Sequence, residues 1–299
     1  MSQIFDALHQ SQDERAGANP RKFVTAKELL QAVEQGTEIP AESVSNVTQP
    51  NSREPRRQFP AAKLALQLNT KLVCFSPTES LAAEKFRFLA TRLRHIQQKR
   101  PLKCMVITSS VPDEGKTMVA ANLACALARG KQNVLLMEGD LRRPTLGRAL
   151  GLCEHPGLSQ LLQHQPDSVA NIYSLEIPGL CVLLAGSAHT NPYEFMEPAK
   201  LSSLIERVSQ LFDWIVVDSP PLLPLADTSM WVRLAEAVIL VARPGVTTKR
   251  QLQKTLEAIE QPKLLGAVLN ASTEATTNTY YYHYTLRSNA SSPKIAVAK

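Results

Sequence analysis

Nine residues, Ser109-Ser-Val-Pro-Asp-Glu-Gly-Lys-Thr117, carry the types and spacing that hold a polyphosphate. They follow the apolar run Met105-Val-Ile and precede Met118-Val-Ala-Ala-Asn-Leu-Ala, which reads as a helix. A strand, a tight turn and a helix opening on Gly-Lys-Thr are the setting of a phosphate-binding loop. Backbone N–H groups of the turn and the positive end of the helix dipole converge there on one spot. The expected nucleotide contacts are Ser110, Val111, Pro112, Asp113, Glu114, Gly115, Lys116, Thr117 and Met118. Lys116 would reach the β- and γ-phosphates as a point charge, and the Thr117 hydroxyl would ligate Mg²⁺. Ser110 stands where the general pattern has its first glycine, so the flanking strand and helix carry the reading beyond the bare tripeptide.

Mg²⁺ bound to ATP needs hard oxygen ligands, directly or through water. Asp218 closes the apolar run Trp214-Ile-Val-Val, and Glu138 and Asp140 close Asn133-Val-Leu-Leu-Met137. Asp218, Asp140 and Thr117 are the candidate metal residues. A carboxylate beside the phosphates can also orient the metal's water or accept a proton from an attacking hydroxyl. One acidic residue at a strand end is ordinarily a cap or a surface charge. Three beside one phosphate loop point to function.

The elements that would position these groups alternate along the chain. Leu180–Leu184, Ala237–Val241 and Leu265–Leu269 are further short apolar runs, with helices expected over 200–211 and 249–259. Such a pattern predicts an α/β fold: a mostly parallel, doubly wound sheet of the P-loop NTPase type, flanked by helices. Ligands of such sheets lie beyond the carboxyl ends of the strands, where the loop and all three carboxylates fall. A helix is also expected from Ser76-Pro-Thr-Glu79 to about Gln97, with Phe86, Leu89, Leu93 and Ile96 on its buried face.

The 299 residues divide into a leader and linker over 1–70, an ATP-binding domain over 71–275 and a tail over 276–299. The leader contains a short amphipathic piece (Ile4, Phe5, Leu8), a helix expected from Lys27 to Gln35, and a stretch rich in proline, serine and charge. The net charge of +6 is spread rather than blocked, and no nucleic-acid partner is expected. Five scattered cysteines without a CxxC pair fit a reducing compartment and no thiolate metal site. No apolar run approaches the length of a membrane helix, so a cytoplasmic location is expected. Four of the six tyrosines, Tyr280, Tyr281, Tyr282 and Tyr284, crowd into the tail after a polar spacer. They read either as phosphate acceptors or as an adhesive aromatic segment.

These motifs, taken together, resemble the bacterial tyrosine kinase family, in particular autokinases associated with exopolysaccharide and capsule synthesis and export. The likeness runs over about 71–285, through Glu84-Lys-Phe-Arg87, Val111–Thr117, Val134–Pro144, Gly157-Leu-Ser, Ala185-Gly-Ser, Asn191-Pro192, Phe212–Pro221, Ala226-Asp227, Val268-Leu-Asn270 and the tyrosine tail. The resemblance implies ATP- and Mg²⁺-dependent phosphorylation of the four tail tyrosines, usually between subunits of a homo-oligomer. It implies Lys116, Glu138 and Asp140 as the catalytic set, with Glu138 in the place of the acid that activates the tyrosine. The implied partner is the cytoplasmic part of a membrane-spanning polysaccharide chain-length regulator, which would hold the protein at the inner face of the membrane.

Two positions depart from the family pattern. Glu138 replaces the usual aspartate, which moves its carboxylate by one methylene and keeps open a catalytically weak, ATP-binding adaptor. The assembly motif Glu-x-x-Arg-x-x-Arg has Glu84 and Arg87 but ends on Ala90, leaving Arg94 on the same stripe as a candidate substitute. Partition and septum-placement ATPases share the fold, but they carry an extra lysine where this chain has Ser110 and Val111, and they lack a tyrosine tail.

Overall fold

Runs such as Val-Leu-Leu-Met and Trp-Ile-Val-Val are apolar on both faces, so they are stable only between two layers of helix. A computed structural model of the chain describes residues 59–65, 71–75, 80–152, 155–164, 168–187, 191–194, 196–223 and 227–271. In chain order the elements are α1 (Leu81–Gln97), β1 (Cys104–Ser109), α2 (Lys116–Arg129), β2 (Val134–Glu138), α3 (Leu146–Leu150), α4 (Leu158–His164), β3 (Tyr173–Ser174) and β4 (Leu180–Leu183). They continue through α5 (Pro198–Leu211), β5 (Trp214–Asp218), α6 (Asp227–Leu234), β6 (Ala237–Ala242), α7 (Lys249–Ala258) and β7 (Leu264–Leu269). The sheet order is β3-β4-β2-β5-β1-β6-β7, parallel except for the antiparallel β3. The expected doubly wound α/β sheet is therefore present.

Alternate strand residues feed two cores. Met105, Ile107, Leu136, Val216 and Ile239 pack under α1 and α2, while Val106, Leu135, Met137, Ile215 and Val217 pack under α4, α5 and α6. These strand side chains are buried, and each contributes roughly 1.5–3 kcal/mol relative to exposure. That rigidity fixes the strand ends, and with them the site.

Helix α1 begins later than expected. Ser80 is its N-cap, its Oγ accepting from Ala83 N at 3.1 Å; Ser76 to Glu79 lie outside the described residues. Leu93 is buried as expected, whereas Phe86, Leu89 and Ile96 are only partly so. The centre of the face is Ala83 and Ala90, small residues that suit close packing on the alanine-rich α2.

Residues 59–65, assigned from sequence to the leader, lie along the domain. Ala62 N donates to Ser174 O, Ser174 N to Pro60 O and Ala65 N to Leu150 O. Phe59 stacks on Phe212 with ring centroids 5.6 Å apart. The helices expected in the leader, and the tail tyrosines, lie outside the described residues.

Candidate active site

The loop after β1 is braced from behind. Ser110 is fully buried, and its Oγ receives the Thr255 hydroxyl of α7 at 2.8 Å. Buried Glu114 accepts Val111 N through Oε2 at 2.8 Å and the Thr247 hydroxyl through Oε1. Asn270, just past β7, donates from Nδ2 to Glu114 O at 2.9 Å. Gly115 has φ +87°, the left-handed region a glycine adopts without steric cost. A Cβ there would also lie 2.1 Å from Asn270 Nδ2. Among the expected nucleotide contacts, Ser110 and Glu114 thus use their side chains to shape the loop. Met118 packs its side chain against the core. Pro112 and Asp113 are exposed, and Lys116 and Thr117 open α2.

Parallel pairing sets Glu138 opposite Asp218, and Ile107 of β1 opposite Asp218 on its other side. The sheet therefore delivers two of the three carboxylates side by side next to the loop. The loop after β5 is held close: Pro220 O accepts the Thr108 and Thr228 hydroxyls at 2.9 and 3.0 Å. Gly139 separates the other two acids, and a Cβ there would meet the Trp231 ring at 2.9 Å.

The three carboxylates have different surroundings. Asp218 is 1% exposed, and neither oxygen has a hydrogen-bond partner among the described residues. Burial pushes its pKa up to about 7; Lys116 and Thr117 pull it down only in part, and Glu138 and Asp140 add to the rise. Orphaned buried oxygens fit a cation that arrives with its ligand. Asp140 accepts Arg143 N through Oδ1 at 3.0 Å, and its Oδ2 lies 3.9 Å from Lys116 Nζ. No three His, Cys, Asp or Glu among the described residues close into a metal cage.

Glu138 ends β2, as expected, and is held by backbone amides. Its Oε1 accepts Thr145 N and Leu146 N, both at 2.6 Å, and its Oε2 accepts Ala185 N at 3.0 Å. The side chain is 1% exposed. Burial raises its pKa, and these backbone N–H groups only partly oppose the rise. Three backbone amides thus enclose the carboxylate that the family resemblance puts in the place of the acid activating a tyrosine.

Glu84 and Arg87 form an exposed ion pair with each other on α1. Ala90 is buried, and Arg94 donates from Nη1 to Gly130 O at 3.1 Å, closing the end of α2. Arg94 is thus tied to α2 through one of its guanidinium nitrogens. Cys104 and Cys181 are core residues as expected, burial pushing their thiols up to about 12 and about 11.

Thr145, Thr247 and Thr255 belong to the site and were not singled out from sequence. Thr145 Oγ1 lies 3.0 Å from Thr117 Oγ1. Asn270 lay within a quoted block, Val268-Leu-Asn270, which was its one signal.

No protein-family model matches the chain. It is 30% identical over 221 residues to the tyrosine-protein kinase YwqD of Bacillus subtilis, covering 73% of this chain and 93% of that protein. It is 29% identical over 220 residues to the tyrosine-protein kinase ptk of Acinetobacter johnsonii, of which it spans 30%. Among solved structures, the chimerical protein CapA2B2 aligns with a TM-score of 0.63 and 29% identity, over 71% of this chain and 94% of that one. The cell division ATPase MinD of Pyrococcus furiosus aligns with a TM-score of 0.51 and 27% identity, over 58% of this chain and 74% of that one.

Proposed function

The chain belongs to the bacterial tyrosine kinase family, and from that premise we propose that it is an ATP-dependent autokinase acting on its own tyrosine tail. The observation that carries this reading is the meeting of Lys116, Thr117, Asp140 and an unpartnered Asp218 at the carboxyl ends of β1, β2 and β5. Lys116 and the loop amides bind the phosphates. Thr117, Asp140 and Asp218 hold Mg²⁺, which when bound neutralises charge on the phosphate oxygens. The tyrosyl oxygen bonds to the γ-phosphorus as the bond to the β,γ-bridging oxygen breaks, ADP leaves, and the phenolic proton passes to a base. With Glu138 enclosed, Asp140 is the carboxylate placed near Lys116 to receive that proton or to orient the metal's water.

The acceptors are Tyr280, Tyr281, Tyr282 and Tyr284, and the process regulated is exopolysaccharide or capsule polymerisation and export. The partner is the cytoplasmic part of a membrane-spanning chain-length regulator, with transfer between subunits of a homo-oligomer that uses Glu84 and Arg87. Among the described residues no helix is long and apolar enough to cross a membrane, so the partner would supply the membrane contact.

The enclosure of Glu138 favours a second reading, an adaptor that binds ATP but transfers phosphate poorly. Phosphotyrosine mass spectrometry of wild type and Lys116→Met, with and without Mg-ATP and an activating partner, separates the two. Modification of wild type and none of the variant supports the kinase. Unmodified wild type that still binds ATP supports the adaptor.

A further inference from the structure

We propose that Thr145 is a positioning residue of the metal site, set in place by Glu138, which orients the Thr117 hydroxyl toward Mg²⁺. The inference rests on the nucleotide-binding reading of the site. Thr145 occupies the N-cap position of α3, where a threonine hydroxyl ordinarily accepts a backbone N–H of the first turn. Here it makes no such bond. The Glu138 carboxylate takes over the capping, accepting both Thr145 N and Leu146 N at 2.6 Å. The freed Oγ1 of Thr145 lies instead 3.0 Å from Thr117 Oγ1. Glu138 also holds Ala185 N at 3.0 Å, so one buried carboxylate ties its own strand to α3 and to the end of β4.

A hydroxyl has one proton and two lone pairs. To ligate a cation, Thr117 must turn its lone pairs toward the metal and its proton elsewhere. Thr145 Oγ1 lies at hydrogen-bond distance to accept that proton, which frees the Thr117 lone pairs for a cation beside the Asp218 oxygens. Without Thr145 Oγ1, the Thr117 proton turns to Asp218 and competes with the cation for the same oxygens. Glu138, Thr145 and Thr117 therefore form a relay from the sheet to the metal site.

The test is binding of a fluorescent ADP to the full chain, first in EDTA and then across an Mg²⁺ titration. Thr145→Val keeps the shape and the backbone N–H held by Glu138 but removes the acceptor. It should raise the Mg²⁺ concentration for half-maximal effect about three- to ten-fold, the range for one lost neutral hydrogen bond, with Mg²⁺-free ADP affinity unchanged. Thr145→Ser, which retains the hydroxyl, should restore the wild-type midpoint. Glu138→Met keeps the length of the side chain but removes the acceptor for Thr145 N and Leu146 N, loosening Thr145. It should shift the midpoint in the same direction, and the double variant should be no worse than the worse single one. A wild-type midpoint in Thr145→Val, or an equal loss of Mg²⁺-free affinity, overturns the relay. Independent, multiplying effects of the two changes overturn the part given to Glu138. Failure of wild type to bind ADP at all would instead overturn the nucleotide reading beneath it.

Discussion

Replacing Asp218 by asparagine should stabilise the nucleotide-free protein at neutral pH while removing its response to Mg²⁺. The wild-type carboxyl titrates at 3.8 when exposed in the unfolded chain and at about 7 in the folded site. Between those values the folded state holds a proton that the unfolded state has released. Rising pH therefore favours unfolding throughout that window, and the stability this group contributes is fully present below 3.8 and lost as pH rises through about 7. Each pH unit is worth about 1.4 kcal/mol, so some three units amount to about 4 kcal/mol, with the side chain too buried for solvent to screen the effect. Asparagine does not titrate. The stability difference between variant and wild type should thus grow in the variant's favour from pH 4 to pH 7 and level off above. Urea unfolding in EDTA at half-unit steps from pH 4 to 8.5 measures that difference directly. A constant offset between the two proteins across this range would refute the account, since steric or hydrogen-bond effects of the amide carry no such slope. If Mg-ADP raises the melting temperature of wild type, as the proposed site requires, the same variant should lose that gain.

Gly115→Ala places a Cβ where the backbone is left-handed and Asn270 is in the way. The conformation costs about 1–2 kcal/mol and loss of the Asn270 bond to Glu114 O a further 0.5–1.5 kcal/mol or so. Urea unfolding should show a loss of about 2–3 kcal/mol, with ADP binding weakened; a wild-type midpoint would contradict the bracing of the loop from β7. In the tail, each phosphate adds about −1.5 to −2 charge, which should expel the segment from an acidic neighbouring site. Light scattering should show phosphorylated wild type moving from oligomer to monomer. A variant with Phe at positions 280, 281, 282 and 284 should stay associated, and equal masses throughout would sink the idea.

The sheet was legible because its signals are local. Continuous apolar runs between helical stretches have few packing solutions, and β1, β2, β4, β5, β6 and β7 fall on the runs read from sequence. The two-residue β3 carries no pattern and exists by pairing with β4. The site divides in the same way. Lys116, Thr117, Asp140 and Asp218 announce themselves through motif and strand end. Thr247, Thr255 and Asn270 matter because β6, α7 and β7 fold back behind the loop, more than a hundred residues downstream of it. A threonine on a polar helix gives no hint of that contact. Glu138 was legible as a position, but its contacts were not: a side chain's partners depend on which backbone amides the topology brings near it.

That distinction accounts for how two neighbouring strand ends can hold nearly identical groups in opposite surroundings. Glu138 and Asp218 are register partners on β2 and β5, each 1% exposed. Burial alone would push both toward the neutral form. Glu138 is met by three backbone N–H groups, whereas Asp218 is met by none. Glu138 is satisfied by the fold and has little to gain from a cation. Asp218 is left with a debt of hydration that a divalent ion, arriving with phosphate, can settle. Asp140 has one oxygen bonded to Arg143 N and the other near Lys116. A ligand that bound only the folded state would stabilise it by mass action. An aspartate at position 138 would be too short to reach all three amides. It would return a second unsatisfied carboxylate to the site and loosen Thr145, so Glu138→Asp should lower stability by about 1–3 kcal/mol through the buried groups left unpaired.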